Sequence, residues 1–98
     1  MTKRPPTPPE ALSQAAITWW ERLIADYAIN DSAGLLLLEQ GLRSFDRAEE
    51  ARRLIDEQGS VVLDRFGQAR QHPAAQIERD NRAAVVRTLA ALGIDGGP

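Results

Sequence analysis

The segment Gly59–Pro73, GSVVLDRFGQARQHP, most constrains the fold of this chain, because it separates two strongly helical regions. The apolar residues 61–63 favour a short strand, and residues 64–67 favour a turn with glycine at a positive φ, after which the chain can return antiparallel. Pro73 suits the first turn of a new helix, where its missing amide hydrogen has no helical partner. The pattern predicts a β-hairpin near 61–71. Two short strands alone are marginally stable, so we expect them to lean on the helices or on a neighbouring chain.

A first helix is predicted near residues 13–28. Ser13 can cap it, and Leu12 can pack back on Ile17 as a hydrophobic staple. Apolar side chains then recur at helical steps along one stripe, namely Ala16, Trp20, Leu23, Ile24 and Tyr27. We expect both tryptophans, Trp19 and Trp20, to pack in the core, with base stacking by Trp19 as the alternative.

A second helix, near residues 32–58, carries two different faces. One is apolar and consists of Leu35, Leu38, Leu42 and Phe45. The other has mostly small residues at 4-3-4-3-4 spacing and consists of Leu37, Gly41, Ser44, Ala48, Ala51 and Ile55. Glycine in a helix interior costs about 1 kcal/mol relative to alanine, so Gly34 and Gly41 indicate close approach of another backbone. We expect that backbone to belong to another subunit; the alternative is a helix buried on both sides within its own chain.

A third helix is predicted near residues 73–92, and Gly93 followed by Ile94 is typical of a Schellman stop. An inward stripe of this helix can complete the core. Its far side carries a second, small apolar face that consists of Ala83, Val86 and Ala90. We expect this face and the small-residue face of the second helix to form the oligomer interface.

The domain organisation follows from these elements. Residues 1–11 include the proline-rich run TKRPPTPP, which favours an extended, flexible tail. Residues 12–94 form a single helical domain, and 95–98 are a short tail. No apolar run approaches the roughly 20 residues that span a bilayer, and the first residues lack the apolar core of a signal peptide. We therefore expect no membrane partner and an intracellular location.

The residue types give little support for catalysis. Twelve basic and 14 acidic residues leave a net charge of −2, and cysteine is absent. His72 is the only histidine, and beside Pro73 it is better explained as a capping residue than as a base or ligand. Acidic and basic side chains alternate along the second helix as in a solvated or inter-subunit salt-bridge face. We expect no catalytic residue, no metal site and no cofactor.

A series of short motifs runs through residues 10–94 in a characteristic order. They are Leu12-Ser13 with Ala16 and Trp20, Asp31 before a leucine run, DRAEEARRLIDEQG at 46–59, Gly67, His72-Pro73-Ala74 and Leu92-Gly93-Ile94. In order and spacing the chain resembles the phage terminase small subunits of the compact helical kind. The resemblance implies a non-catalytic DNA-packaging subunit in the cytoplasm of an infected or lysogenic bacterium. It further implies a ring-shaped homo-oligomer that binds double-stranded phage DNA and delivers it to a large subunit with ATPase and nuclease activity.

Any DNA contact of this slightly acidic chain must be local. The first residues, the hairpin and the third helix each have a small excess of basic residues. The candidate phosphate contacts are Lys3, Arg4, Arg65, Arg70, Arg79 and Arg82. Ring symmetry would multiply one or two weak contacts per subunit. No helix-turn-helix pattern is recognisable, so base-specific contacts are not indicated.

Two other classes of function stay open. One is a small helical adaptor or antitoxin-like regulator that binds a protein partner and has no affinity for DNA. The other is a small hydrolase, which the lack of a nucleophile, base and metal set disfavours. A high cyclic oligomer favours DNA packaging, whereas a dimer favours the regulator.

Overall fold

The computed structural model describes residues 5–94, which form three α-helices and one two-stranded antiparallel sheet. The elements are α1 Gln14–Tyr27, α2 Ser32–Gln58, β1 Val61–Leu63, β2 Ala69–Gln71 and α3 Pro73–Ala91. The two strands pair Val61 with Gln71 and Leu63 with Ala69. The predicted helical fold and the hairpin between α2 and α3 are confirmed, and the ring oligomer stays a prediction.

Helix α1 is fixed to the middle of α2 by its own cap. The Ser13 hydroxyl accepts a hydrogen bond from the Ala16 amide at 3.1 Å. The Ser13 amide donates to the Asp46 carboxylate at 2.8 Å, and the Ser13 hydroxyl also donates to this carboxylate. Further along α1, Trp20 packs in one cluster with Leu38 and Leu42. Helix α1 therefore runs antiparallel to the first half of α2.

Helix α3 runs antiparallel to α2 and packs along it from about Gly41 to its carboxyl-terminal end. Near one end of this contact Gly41 lies against Thr88, and near the other end Ile55 packs with Ala74. At 1.5 Å per residue, α2 is about 40 Å long. It is the central element: α3, with 19 residues, spans about 28 Å of it, and α1 packs on its first half.

The molecule consequently has two unlike ends. We call residues 12–46 and 83–94 the three-helix end, and residues 47–82 the two-helix end, which the hairpin closes. The principal extents are 65 × 28 × 21 Å, and the radius of gyration is 16.7 Å. A compact domain of this length would have a radius of gyration of about 13 Å. The elongated shape leaves much of the two-helix end in contact with solvent.

Each end has its own buried cluster. The cluster of the three-helix end contains large side chains and consists of Ala16, Trp20, Ile29, Leu38 and Leu42. The cluster of the two-helix end is smaller and consists of Ala51, Ile55 and Ala74. Trp20 is 3% exposed, which confirms its predicted place in the core. Most of the apolar burial therefore lies at the three-helix end.

Part of the proline-rich segment packs on α1. The Trp20 indole Nε1 donates to the Pro6 carbonyl oxygen at 3.1 Å, and Pro6, Pro8 and Pro9 are half-buried. A buried indole N–H needs an acceptor, and Pro6 supplies it. The assignment of residues 1–11 as a flexible tail is thus too broad. Residues 1–4 and 95–98 lie outside the described part of the chain.

Candidate nucleic-acid and subunit interfaces

His72 joins the two helices at the tip of the two-helix end. Its ring Nδ1 accepts a hydrogen bond from the Ala74 amide at 3.0 Å, which caps α3. Its Nε2 lies 2.7 Å from Gln58 Oε1 at the end of α2. This arrangement makes Nδ1 the acceptor and Nε2 the donor. The predicted capping role of His72 is confirmed, and its ring is buried by this contact.

Charged side chains connect α2 and α3 along the two-helix end. Arg82 contacts Glu78 at 3.0 Å and reaches across to Glu49 at 3.4 Å. Arg52 contacts Asp56 at 2.7 Å and approaches Glu78 at 3.6 Å. The hydrogen bond to Asp56 raises the pKa of Arg52 above its ordinary value. This network confirms the predicted salt-bridge face but places it between two helices of one chain, so the Arg82 charge is already balanced.

The hairpin turn is organised around one carboxylate. Asp64 accepts hydrogen bonds from the backbone amides of Phe66 at 2.8 Å and Gln68 at 3.0 Å, and from Arg70 Nε at 3.0 Å. The Gln68 amide, followed by the Arg70 guanidinium, lowers the pKa of Asp64. Gly67 has the predicted positive φ, 76°. The Arg70 side chain is therefore paired with Asp64 within the turn.

The remaining candidate phosphate contacts differ from Arg70 and Arg82. Within residues 5–94, neither Arg65 nor Arg79 has a carboxylate within salt-bridge distance. The Arg65 guanidinium lies 4.9 Å from the centroid of the Phe66 ring, and Arg79 is exposed on α3. Lys3 and Arg4 lie outside the described residues. The structure thus brings four candidate arginines to the two-helix end but leaves only two of them without an ion pair.

The small-residue face of α2 is covered by α3 of the same chain. Gly41, Ala48, Ala51 and Ile55 are all buried without any second subunit. A Cβ added at Gly41 would lie 2.6 Å from Cγ2 of Thr88, so the predicted close approach is real. The approaching helix is α3, and the expectation that these four residues face another subunit is wrong. The short chain uses this face to complete its own fold.

Gly34 has a more local explanation. An added Cβ would lie 2.8 Å from Oδ1 of Asp31, the residue that caps α2 and accepts from the Gly34 amide. Gly34 therefore accommodates the helix cap and not another backbone.

The other predicted interface residues do reach the surface. Val86 is 66% exposed and Leu37 is 37% exposed, while Ala83 and Ala90 are also exposed. Ser44 is half-buried. These positions remain available to a partner, and their role in an oligomer stays a prediction.

An apolar groove at the three-helix end was not predicted from the sequence. It has a volume of about 260 Å³ and an entirely apolar accessible lining, and it is partly open to solvent. All three helices and the residue after the turn that ends α3 contribute to its walls, which include Trp19, Leu23, Phe45, Val85, Leu89 and Ile94. Trp19 is 44% exposed, with the Arg22 guanidinium 5.8 Å from its ring. The i, i+4 pairs Trp19–Leu23 and Val85–Leu89 were the available signal.

The hairpin is also apolar, but its side chains protrude into solvent instead of lining a groove. Leu63 and Phe66 are 73% and 72% exposed, and Val61 is 58% exposed. These side chains do not lean on the helices, although two short strands need such support. The described chain thus has an apolar protrusion at one end of the folded molecule and an apolar groove at the other, in addition to the exposed residues around Val86 and Leu37.

Among residues 5–94 there is no group of three or more His, Asp or Glu side chains placed to hold a metal ion. In the same range no helix is both long and apolar enough to cross a membrane. Comparisons with protein-family models, with curated proteins and with solved structures find no match to this chain.

Proposed function

We propose that this chain is the non-catalytic small subunit of a phage DNA-packaging terminase, as its sequence resemblance implies. It would form a ring-like homo-oligomer in the cytoplasm of an infected or lysogenic bacterium. The ring would bind double-stranded phage DNA and present it to the large subunit that carries the ATPase and nuclease.

The main support for this proposal is the position in the fold of the motifs that resemble those of terminase small subunits. Ser13 caps α1, His72 caps α3 and Gly67 sits at the hairpin turn. Gly93, with φ 81°, ends α3, where the Ile94 amide donates to the Leu89 carbonyl at 2.8 Å. Several residues of the resembling motifs therefore cap the helices or form the hairpin turn. These roles agree with the helical fold that the resemblance implies, and the proposed function follows from that resemblance.

A second support is the number of large apolar side chains on the surface. Within the described chain they include Leu37, Leu63, Phe66, Ile77 and Val86. So small a domain buries only a modest core of its own. Exposed apolar side chains that lie together mark protein-protein contacts, and we expect a homo-oligomer to cover part of this apolar surface.

The proposed DNA contact is weak per subunit and depends on assembly. Of the four candidate arginines within residues 5–94, Arg65 and Arg79 are the two that form no ion pair there, whereas Arg70 and Arg82 each contact a carboxylate. Each such contact adds about −0.9 to the slope of log affinity against log salt concentration. Several subunits in a ring would sum these contributions, and the affinity would be independent of sequence because phosphates carry no base identity.

The test is a salt titration of duplex binding by the assembled protein. The matched variants are Arg79→Gln and Arg82→Gln, one turn apart on α3. Arg79→Gln should weaken binding of unrelated duplexes equally and flatten the salt dependence. Arg82→Gln should have a smaller effect on both, because Glu49 and Glu78 already balance its charge. Absence of duplex binding at low salt by a confirmed oligomer would overturn the proposed DNA-binding role.

The second candidate function is a protein-binding adaptor or antitoxin-like regulator. The entirely apolar groove favours it, because such a surface accepts a protein side chain and not a phosphate. Native mass spectrometry separates the two functions. A dimer or a monomer without affinity for DNA supports the adaptor, and a large cyclic oligomer supports the packaging subunit.

A further inference from the structure

The groove of the three-helix end and the hairpin of the two-helix end are apolar surfaces of matching chemistry on one chain. We propose that Leu63 and Phe66 of one copy dock into the groove of the next copy, so that the chain assembles head to tail. This inference rests on the homo-oligomer of the proposed function and specifies the contact that builds it.

The size and lining of the groove favour side chains over a small-molecule ligand. Pockets for drug-sized ligands usually have about 300 to 1,000 Å³ and a few polar groups that orient the ligand. This groove has about 260 Å³ and no polar accessible lining. An apolar cavity of about 150 Å³ holds a benzene ring. The groove therefore has room for one phenyl ring and one aliphatic side chain, which Phe66 and Leu63 supply.

The groove cannot receive the hairpin of its own chain. Leu42 lines the groove and Gln58 precedes the hairpin, and about 24 Å of α2 lies between them at 1.5 Å per residue. Helix α3 packs along α2 and holds the two ends apart. Occupation of the groove by the hairpin therefore requires a second copy.

The charges of the two ends are complementary. The three-helix end, residues 12–46 and 83–94, carries five carboxylates and three arginines. The hairpin segment, residues 59–71, carries two arginines and one carboxylate. The net charges of these two sets of residues, −2 and +1, have opposite signs, which favours the encounter of unlike ends over the encounter of two hairpins.

The geometry determines the kind of assembly. The docked surfaces differ, so the contact is heterologous, and each copy keeps one free groove and one free hairpin. Such a contact closes into a ring when the rotation between copies allows it, and otherwise gives an open chain. A two-fold dimer through this contact would need both hairpins to enter both grooves at once.

The first experiment measures mass by sedimentation equilibrium from micromolar to near-millimolar concentration. The wild type should form species larger than the 10.8 kDa chain. The Leu63→Ser, Phe66→Ser double variant should lose at least about tenfold in apparent association constant, equivalent to 1.4 kcal/mol. The matched control is Leu36→Ser, an exposed apolar residue on α2 that does not line the groove. It should assemble as the wild type does.

The second experiment mixes two variants, one with a defective groove and one with a defective hairpin. Trp19→Glu places a charge at the rim of the groove and leaves the hairpin intact. The hairpin double variant leaves the groove intact. At a concentration at which each variant alone is monomeric, the mixture should form a one-to-one heterodimer through the one contact that combines an intact groove with an intact hairpin. Far-ultraviolet circular dichroism confirms that both variants fold. A mixture of folded variants that remains monomeric would overturn head-to-tail docking.

A photo-crosslink keeps the proposal testable if Trp19→Glu unfolds the chain. With p-benzoylphenylalanine in place of Phe66, the intermolecular crosslinks should map to groove peptides of α1 or α3. Crosslinks confined to the other copy's hairpin would contradict the proposal, as would a wild type that stays monomeric at every concentration. An oligomer that survives loss of the hairpin side chains would refute this contact but leave the packaging function standing. Assembly as proposed without duplex binding would refute the packaging function alone.

Discussion

The two ends of this molecule are stabilised by different physics. The three-helix end encloses Trp20 and two leucines between helices, so apolar burial dominates there. The two-helix end has only Ile55 and alanines in its cluster. It relies on the His72 cap, the Asp64 turn and ion pairs across α2 and α3. Exposed ion pairs each contribute little, and a cap contributes about 1 kcal/mol.

Because of this difference, a small chain can be folded and still present apolar side chains to solvent. The three-helix end can be stable while it keeps an open groove, because its buried cluster is large. The two-helix end can present Phe66 and Leu63 to solvent because the turn at Asp64 holds them in place. Stability is thus concentrated at one end, and the protruding apolar surface lies at the other.

The largest expected effect separates two neighbouring tryptophans of the three-helix end. Trp20→Ala should destabilise the chain by about 3 to 5 kcal/mol, because it removes a side chain that is 3% exposed. Trp19→Ala should destabilise it much less, since Trp19 is 44% exposed. Urea unfolding measured on dilute protein gives both values. Equal losses would show that the core of this end is assigned incorrectly.

The next effect tests the tight contact between α2 and α3. Gly41→Ala would ordinarily stabilise a helix, but here its Cβ meets Thr88, so we expect a loss of about 1 to 3 kcal/mol. In a Thr88→Ala background the loss should shrink. A double-mutant cycle measures this coupling directly. If the two substitutions are additive, the contact does not hold α3 in the described position.

A third prediction concerns the two-helix end alone. His72→Ala should lower the free energy of unfolding by about 1 kcal/mol, since the Ala74 amide loses its cap. His72→Asn is the matched control, because asparagine also caps helices and should retain most of the stability. Thermal unfolding followed by circular dichroism compares the two variants. An alanine variant as stable as the asparagine variant would show that the cap contributes nothing.

The smallest expected effect is the acid sensitivity of the hairpin. The pKa of Asp64 is lowered in the folded chain, so its contribution is present above its unfolded pKa. This contribution is lost as pH falls below about 4 and through the folded pKa. Amide exchange at Phe66 and Gln68, followed by NMR, should report this loss. Asp64→Asn should remove the pH dependence, and an unchanged profile in that variant would assign it to another group.

Local signals in the sequence predicted the elements well. Ser13, Gly67, His72 and Gly93 each act within a few residues of chain, and each has the expected role. Such signals depend on backbone geometry that neighbouring residues determine, so they can be recognised without knowledge of the fold.

Contacts between elements that are distant in sequence were harder to predict. The periodicity of α2 showed that one face is small, but not that Thr88 of the same chain covers Gly41. The sequence gives no sign that Asp46 differs from the other charged residues of α2. In the structure its carboxylate accepts a hydrogen bond from the Ser13 amide, 33 positions away in sequence. The groove depends on how three helices leave space between them. Spacing along one helix does not encode that space.

Hydrogen exchange followed by mass spectrometry at two protein concentrations tests the central claim most directly. In dilute solution, amides of residues 35–46 should exchange most slowly and those of the hairpin, 59–72, most rapidly. At high concentration the hairpin and the groove-lining parts of α1 and α3 should gain protection together, while residues 47–58 change little. Uniform protection along α2 in dilute solution would contradict the unequal ends, and protection of the hairpin without the groove would contradict their docking.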